Sequence, residues 1–118
     1  MERNLEIFKA LSDKTRLRLL RLIIVSKKSI CVCELSDALE LPQYNISRHL
    51  KILKNAGLIN EERIGRWKYY SLTDEKNAFN ENLFQTVSSI LNETVDNDYK
   101  KLITRLKMRI KGKCVSGT

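Results

Sequence analysis

The sequence predicts a mainly α-helical fold with one small β-hairpin, a winged helix-turn-helix, on three observations. Two helical stretches meet across Leu41-Pro42 with almost no linker. A pair of β-rich runs around Gly65 follows them. The flanking segments carry apolar residues at spacings of three and four. At 118 residues the chain is the size of one domain, so one module holds the whole activity.

Each element has a local reason. Leu5, Phe8 and Leu11 share one face of a short first helix, and Ser12 or Asp13 caps a second helix carrying Leu17, Leu20 and Ile24. Ser29 is placed to cap a third, with Val32, Leu35 and Leu39 on its buried side. Leu41-Pro42 ends that helix, and the fourth runs from about Gln43 to Ala56, where Gly57 supplies a left-handed stop. Leu58 to Arg63 and Arg66 to Leu72 read as two strands. A final helical region begins near Asn77 with a stripe through Leu83, Phe84, Val87, Ile90, Leu91 and Val95, and continues through Tyr99, Leu102, Ile103, Leu106 and Ile110. Asp96-Asn97-Asp98 divides it into two helices or is spanned by one. Residues 1–111 form one winged helix-turn-helix domain with terminal helices for dimerisation, and residues 112–118 a flexible tail carrying Cys114.

The formal charge of +8 favours a polyanionic partner. No apolar run approaches the roughly 20 residues a membrane helix needs, and the N-terminus opens on Glu2 and Arg3, unlike a secretory signal. Three cysteines, with Cys31 and Cys33 too close for an unstrained mutual disulfide, fit a reducing compartment; a cytoplasmic protein without membrane contact is expected.

At about 100° per residue, Ile46, Leu50 and Leu53 fall on the inner side of the fourth helix. The outer side presents Tyr44, Asn45, Arg48, Lys51 and Asn55, with Gln43 at its start and Ser47, His49 and Lys54 on the flanks. Such side chains reach base edges or phosphates, and an exposed helix fits the major groove of double-stranded DNA. Ile52 also falls outward, where a thymine methyl is a fitting contact. His49, the single histidine, makes a poor metal site alone and fits packing or a phosphate better. Arg63, Arg66 and Lys68 around Gly65 form a basic wing tip suited to phosphates or a minor groove, while Trp67, Tyr69 and Tyr70 read as packing residues.

The stretches ALSDKTRLRLLRLI, CVCELSDALELPQYNISRHLKILKNAGLI and RIGRWKYYSL together resemble the ArsR/SmtB family of metal-sensing repressors over roughly residues 5 to 72. The motifs that match are Ser12 to Arg16, Ser47 to Leu50, and Gly65 with Tyr69 and Tyr70. The resemblance implies a homodimer that represses its own metal-resistance operon and leaves operator DNA when metal binds. Arsenite-sensing members carry Cys-Val-Cys-x-Leu-Cys at the start of the third helix. This chain matches at Cys31, Val32, Cys33 and Leu35 but has Ser36 at the last position.

As(III) or Sb(III), the inducers this resemblance implies, take soft thiolates in a three-coordinate pyramid. Either Cys31 and Cys33 suffice with an exogenous ligand, or Cys114 of the same or the partner chain is the third. Two residues apart on an ideal helix point about 200° away from each other, so a shared ion is expected to distort the first turn of the third helix. The helix N-terminus is expected to lower thiol pKa. Without histidine beyond His49, a zinc site on the last helix is disfavoured, and Cd, Pb or Hg on thiolates stays open. A thiol-based redox-sensing repressor is the alternative. An enzyme is not expected, because a Cys-x-x-Cys spacing, a nearby base and a phosphate-binding glycine loop are all lacking.

Overall fold

The computed structural model describes residues 1–115. In chain order the elements are α1 (Glu2–Leu11), α2 (Lys14–Ser26), β1 (Ile30–Cys31), α3 (Val32–Leu39), α4 (Gln43–Asn55), β2 (Ile59–Ile64), β3 (Trp67–Leu72), α5 (Ala78–Ser88) and α6 (Glu93–Leu106). The fold is the expected one, mainly helical with a winged helix-turn-helix at its centre, and the sheet has three antiparallel strands in the order β1-β3-β2.

Leu19, Leu20, Leu22 and Ile23 of α2 and Leu35, Leu50, Leu53, Leu58 and Leu102 close a core from which water is excluded. Asp13 caps α2 by accepting from the Arg16 N–H, while Ser12 Oγ donates to the Lys9 carbonyl. The α3–α4 turn closes through Leu41 N–H to the Ser36 carbonyl, with Glu40 left-handed at φ 57°. Gly57 (φ 79°) ends α4 in the left-handed conformation that favours glycine; a Cβ there would meet only the flexible end of the exposed Arg3 side chain. Gly65 (φ 63°) opens the two-residue turn between the paired Ile64 and Trp67.

Four local expectations are corrected. Ser29 does not cap α3. Ile30 and Cys31 instead pair with Tyr70 and Tyr69 of β3, and Cys31, still extended at ψ 153°, is the residue from which α3 departs. On α1 the buried residues are Ile7 and Ala10, while Leu5 and Phe8 are exposed and Phe8 meets the Phe79 ring edge-on at 5.9 Å. The break in the C-terminal region falls at Ser89–Asn92, with the Asn92 side chain accepting from Val95 N–H. Asp96-Asn97-Asp98 lies inside α6, near its N-terminal end where the helix dipole favours carboxylates. Asp98 is buried and takes two hydrogen bonds from Arg18, at 2.9 and 2.8 Å. Finally, the segment read as a loose tail turns back through an Ile110–Lys113 bridge and buries Cys114; Ser116 to Thr118 lie outside the described residues.

Candidate functional site

Two regions carry chemistry. The first is the junction of β1 and α3. Because Cys31 is extended and Cys33 is helical, the two side chains converge, and their sulfurs stand 3.0 Å apart. The opposed geometry expected of two residues within a regular helix does not arise, so no distortion is needed to bring them together. Cys114 completes a triangle, 2.9 Å from Cys33 and 2.9 Å from Cys31 within the same chain. Its backbone N–H donates to Tyr69 Oη at 2.9 Å, which fixes the segment after the Ile110–Lys113 turn against β3. The three cysteines are 2, 3 and 5 % exposed, with the half-buried Trp67 packed against them. Ser36, where the arsenite motif has its last cysteine, takes no part: its hydroxyl donates to the Leu41 carbonyl at the helix-turn-helix corner.

Burial decides the protonation state of Cys33 and Cys114. Removing them from water pushes Cys33 up to about 11 and raises Cys114 as well, so desolvation outweighs the lowering expected from the helix N-terminus. Charged groups frame the triangle. Arg109 makes two hydrogen bonds to the fully buried Glu34, at 2.8 and 2.7 Å, and Glu34 also accepts from the Cys31 N–H at 3.0 Å. Arg105 donates to Asp37 at 2.7 Å and places Nη2 3.6 Å from the Cys33 sulfur. Sequence reasoning missed this frame. The one available signal was the spacing of Arg105 and Arg109, which puts two cations on one side of the chain's last helical turns. As a donor set, three close soft sulfurs without a histidine or carboxylate among them suit a thiophilic three-coordinate ion.

The second region is the outer face of α4 with the hairpin. Ile46, Leu50 and Leu53 point inward as expected. Gln43, Tyr44, Ser47, Arg48, Lys51, Ile52, Lys54 and Asn55 are exposed, and Asn45 is half-buried. The Arg48 guanidinium lies over the Tyr44 ring, 5.4 Å from its centroid. Two residues have partners inside the chain: Lys54 pairs with Glu61 at 3.4 Å, and half-buried His49 shares a 3.1 Å hydrogen bond with Arg16. Burial, with the nearby Arg16 and Arg48 charges, lowers the His49 pKa despite an opposing contribution from Asp13, so its Nδ1 accepts from Arg16. At the wing, Arg63, Arg66 and Lys68 are exposed, and Arg66 lies over Trp67 at 5.0 Å. Tyr69 and Tyr70 are buried, as packing residues should be. Among the described residues no helix is long and apolar enough to cross a membrane.

An exposed, cation-rich second helix after a tight turn, flanked by a basic hairpin, defines a DNA-binding transcriptional regulator of the winged helix-turn-helix class. Comparison with known proteins narrows the class. The family described as "Bacterial regulatory protein, arsR family" matches residues 13–61. An uncharacterised helix-turn-helix-type regulator of Methanocaldococcus jannaschii is 44% identical over 75 residues, covering 64% of this chain and 83% of that protein. The chain belongs to the ArsR/SmtB family of transcriptional repressors. It is also similar to the arsenic resistance regulator ArsR1 of Pseudomonas putida, 49% identical over 69 residues; the match covers 58% of this chain and 53% of that protein, little more than half its length. Among solved structures, HlyU of Vibrio cholerae superposes with a TM-score of 0.63 at 26% identity, covering 73% of this chain and 88% of that one.

Proposed function

We propose that this repressor is released from operator DNA when arsenite or antimonite binds Cys31, Cys33 and Cys114 of one chain. The observation that carries the reading is the sulfur triangle, with edges of 3.0, 2.9 and 2.9 Å. The likeness to a regulator named for arsenic resistance supports it. The chemistry balances without external base: As(OH)3 and three thiols give a tris-thiolate and three waters, so the raised pKa values of Cys33 and Cys114 are no obstacle to binding. The bound ion joins the start of α3, the first helix of the helix-turn-helix, to the segment following α6. It acts through its different affinity for the free and DNA-bound forms, and each 1.4 kcal/mol of that difference is about tenfold in operator affinity.

In the DNA complex, Gln43, Tyr44, Asn45, Ser47, Arg48 and Lys51 face the major groove. Arg63, Arg66 and Lys68 lie along phosphates, and His49 and Lys54 contribute at the edges. The exposed Leu5 and Phe8 of α1, with Phe79 against Phe8, form the surface on which a second copy docks. The dimer sets two recognition helices about one DNA turn, roughly 34 Å, apart.

Fluorescence anisotropy on promoter DNA tests this reading. Arsenite should release the wild type and fail to release Cys31→Ser/Cys33→Ser or Cys114→Ser, with ion-free DNA binding preserved. A fully responsive Cys114→Ser variant removes the third ligand; an unresponsive wild type sinks the metalloid reading. The same short distances favour a second reading, a Cys33–Cys114 or Cys31–Cys114 disulfide formed by peroxide, which response to peroxide without arsenite would establish.

A further inference from the structure

Charge around the sulfur triangle is matched pair by pair. The carboxylates closest to it are Glu34 and Asp37 on α3, and the cations are Arg105 on α6 and Arg109 just beyond. Glu34 is fully buried, and the Arg109 side chain is 15% exposed. Arg105 is 5% exposed, bonded to Asp37 and to the Val115 carbonyl, with Nη2 against Cys33. A further neighbour, Tyr69 Oη, accepts from the Cys114 N–H. Within this buried frame two cations and two anions cancel, and the remaining nearby cation, Lys113, stands exposed to solvent.

We infer that the pairs Arg105–Asp37 and Arg109–Glu34 are specificity-determining residues that make the thiol site select a trivalent metalloid over a divalent soft cation. This rests on the proposed metalloid reading and deepens it. Three thiolates around As(III) or Sb(III) sum to zero charge, and a neutral pocket accepts the product without penalty. Three thiolates around Cd(II) or Pb(II) leave one negative charge, formed with release of three protons. Net-neutral surroundings compensate that charge only in part: Arg109 is paired with Glu34, and Arg105, which leaves Nη1 without a partner and Nη2 against Cys33, has its charge offset by Asp37. Burying an uncompensated charge is costly, and interactions at this depth are only partly screened. Ion choice is thereby set by residues that do not touch the ion as well as by the sulfurs.

Asp37 is the lever. Its side chain is 41% exposed, so Asp37→Asn is nearly isosteric and leaves the fold intact while giving the surroundings one net positive charge. Arsenite, antimonite, Cd(II) and Pb(II) affinities would be measured on the full chain by ultraviolet thiolate-to-ion charge-transfer absorption, with a competing dithiol. For Asp37→Asn the ratio of Cd(II) to arsenite affinity should rise by about tenfold, the size expected of one partly screened charge a few ångströms away. Pb(II) should follow Cd(II), and antimonite should follow arsenite. Arg105→Gln should move the ratio the other way, and Arg105→Lys, which keeps the charge, should restore it. A loss of packing would weaken all four ions together. If the wild type binds arsenite and the ratio is the same in all variants, this inference fails and the functional reading stands. If the wild type gives no arsenite-dependent band, both fall.

Discussion

Arg48 on α4 stands in solvent with only the Tyr44 ring beneath it, whereas Arg105 and Arg109 are locked onto Asp37 and Glu34 beside the thiols. The same side chain is used in two opposite ways. On α4 the polar groups are left largely unpartnered within the chain, and in the proposed complex phosphates and base edges satisfy them at little cost. At the β1–α3 junction the polar groups are paired internally, Arg105 Nη1 excepted, and the sulfurs are left to react. Substitutions should therefore separate cleanly: changes on the reading face alter DNA affinity and leave stability alone, while changes around the thiols reach the fold.

The largest effect is expected at Glu34. Glu34→Ala strands the Arg109 guanidinium and removes the acceptor for the Cys31 N–H, so it should cost about 3 to 5 kcal/mol of stability. Urea denaturation followed by circular dichroism measures this; a loss under 1 kcal/mol would break the contrast. Arg48→Ala should weaken operator binding by about 1 to 3 kcal/mol while its urea midpoint stays within error. Unchanged anisotropy would take Arg48 out of the interface. Lys68→Ala, on the wing, should weaken binding uniformly across sequences and reduce the salt slope of log K by about one, which a titration at three salt concentrations reads directly.

The smallest effect belongs to His49, which lies on the border between the two regions. Its folded pKa is lowered by burial, so between that value and the unfolded one, about 6.5, the unfolded chain binds more protons. Stability should accordingly fall as pH drops from 7.5 towards 5.5 and level off once the folded value is passed. The melting temperature should show this dependence in the wild type and lose most of it in His49→Gln, because no other histidine titrates in that window.

What the sequence made legible follows the range of the interactions. The helix-turn-helix was readable because Pro42, Gly57 and the inward Ile46, Leu50 and Leu53 are local signals acting within one or two turns. The short strand Ile30–Cys31 was not, since two residues carry no periodicity and their pairing with Tyr69 and Tyr70 is known only once β3 is placed. That omission also carried the error in the thiol geometry, which assumed a helix through both cysteines. On α1 the triplet Leu5, Phe8, Leu11 had the right spacing, yet the core took Ile7 and Ala10 and left Leu5 and Phe8 outside. Cys114 was visible as a candidate, but its position depends on a turn and on Tyr69, which lies 45 residues earlier. Arg105 and Arg109 were legible only as cations; their partners on α3 lie 68 and 75 positions away.

The third sulfur has a further consequence, for endurance. Cys33 and Cys114 lie 81 positions apart, so an ion bonded to both is a cross-link across most of the chain. Closing a loop of that length in the unfolded ensemble removes entropy equivalent to about 4.5 kcal/mol in the chain-entropy account. On the proposed metalloid reading, the ion-bound repressor would then be the form that best resists heat and proteolysis, and it would leave its operator stapled shut.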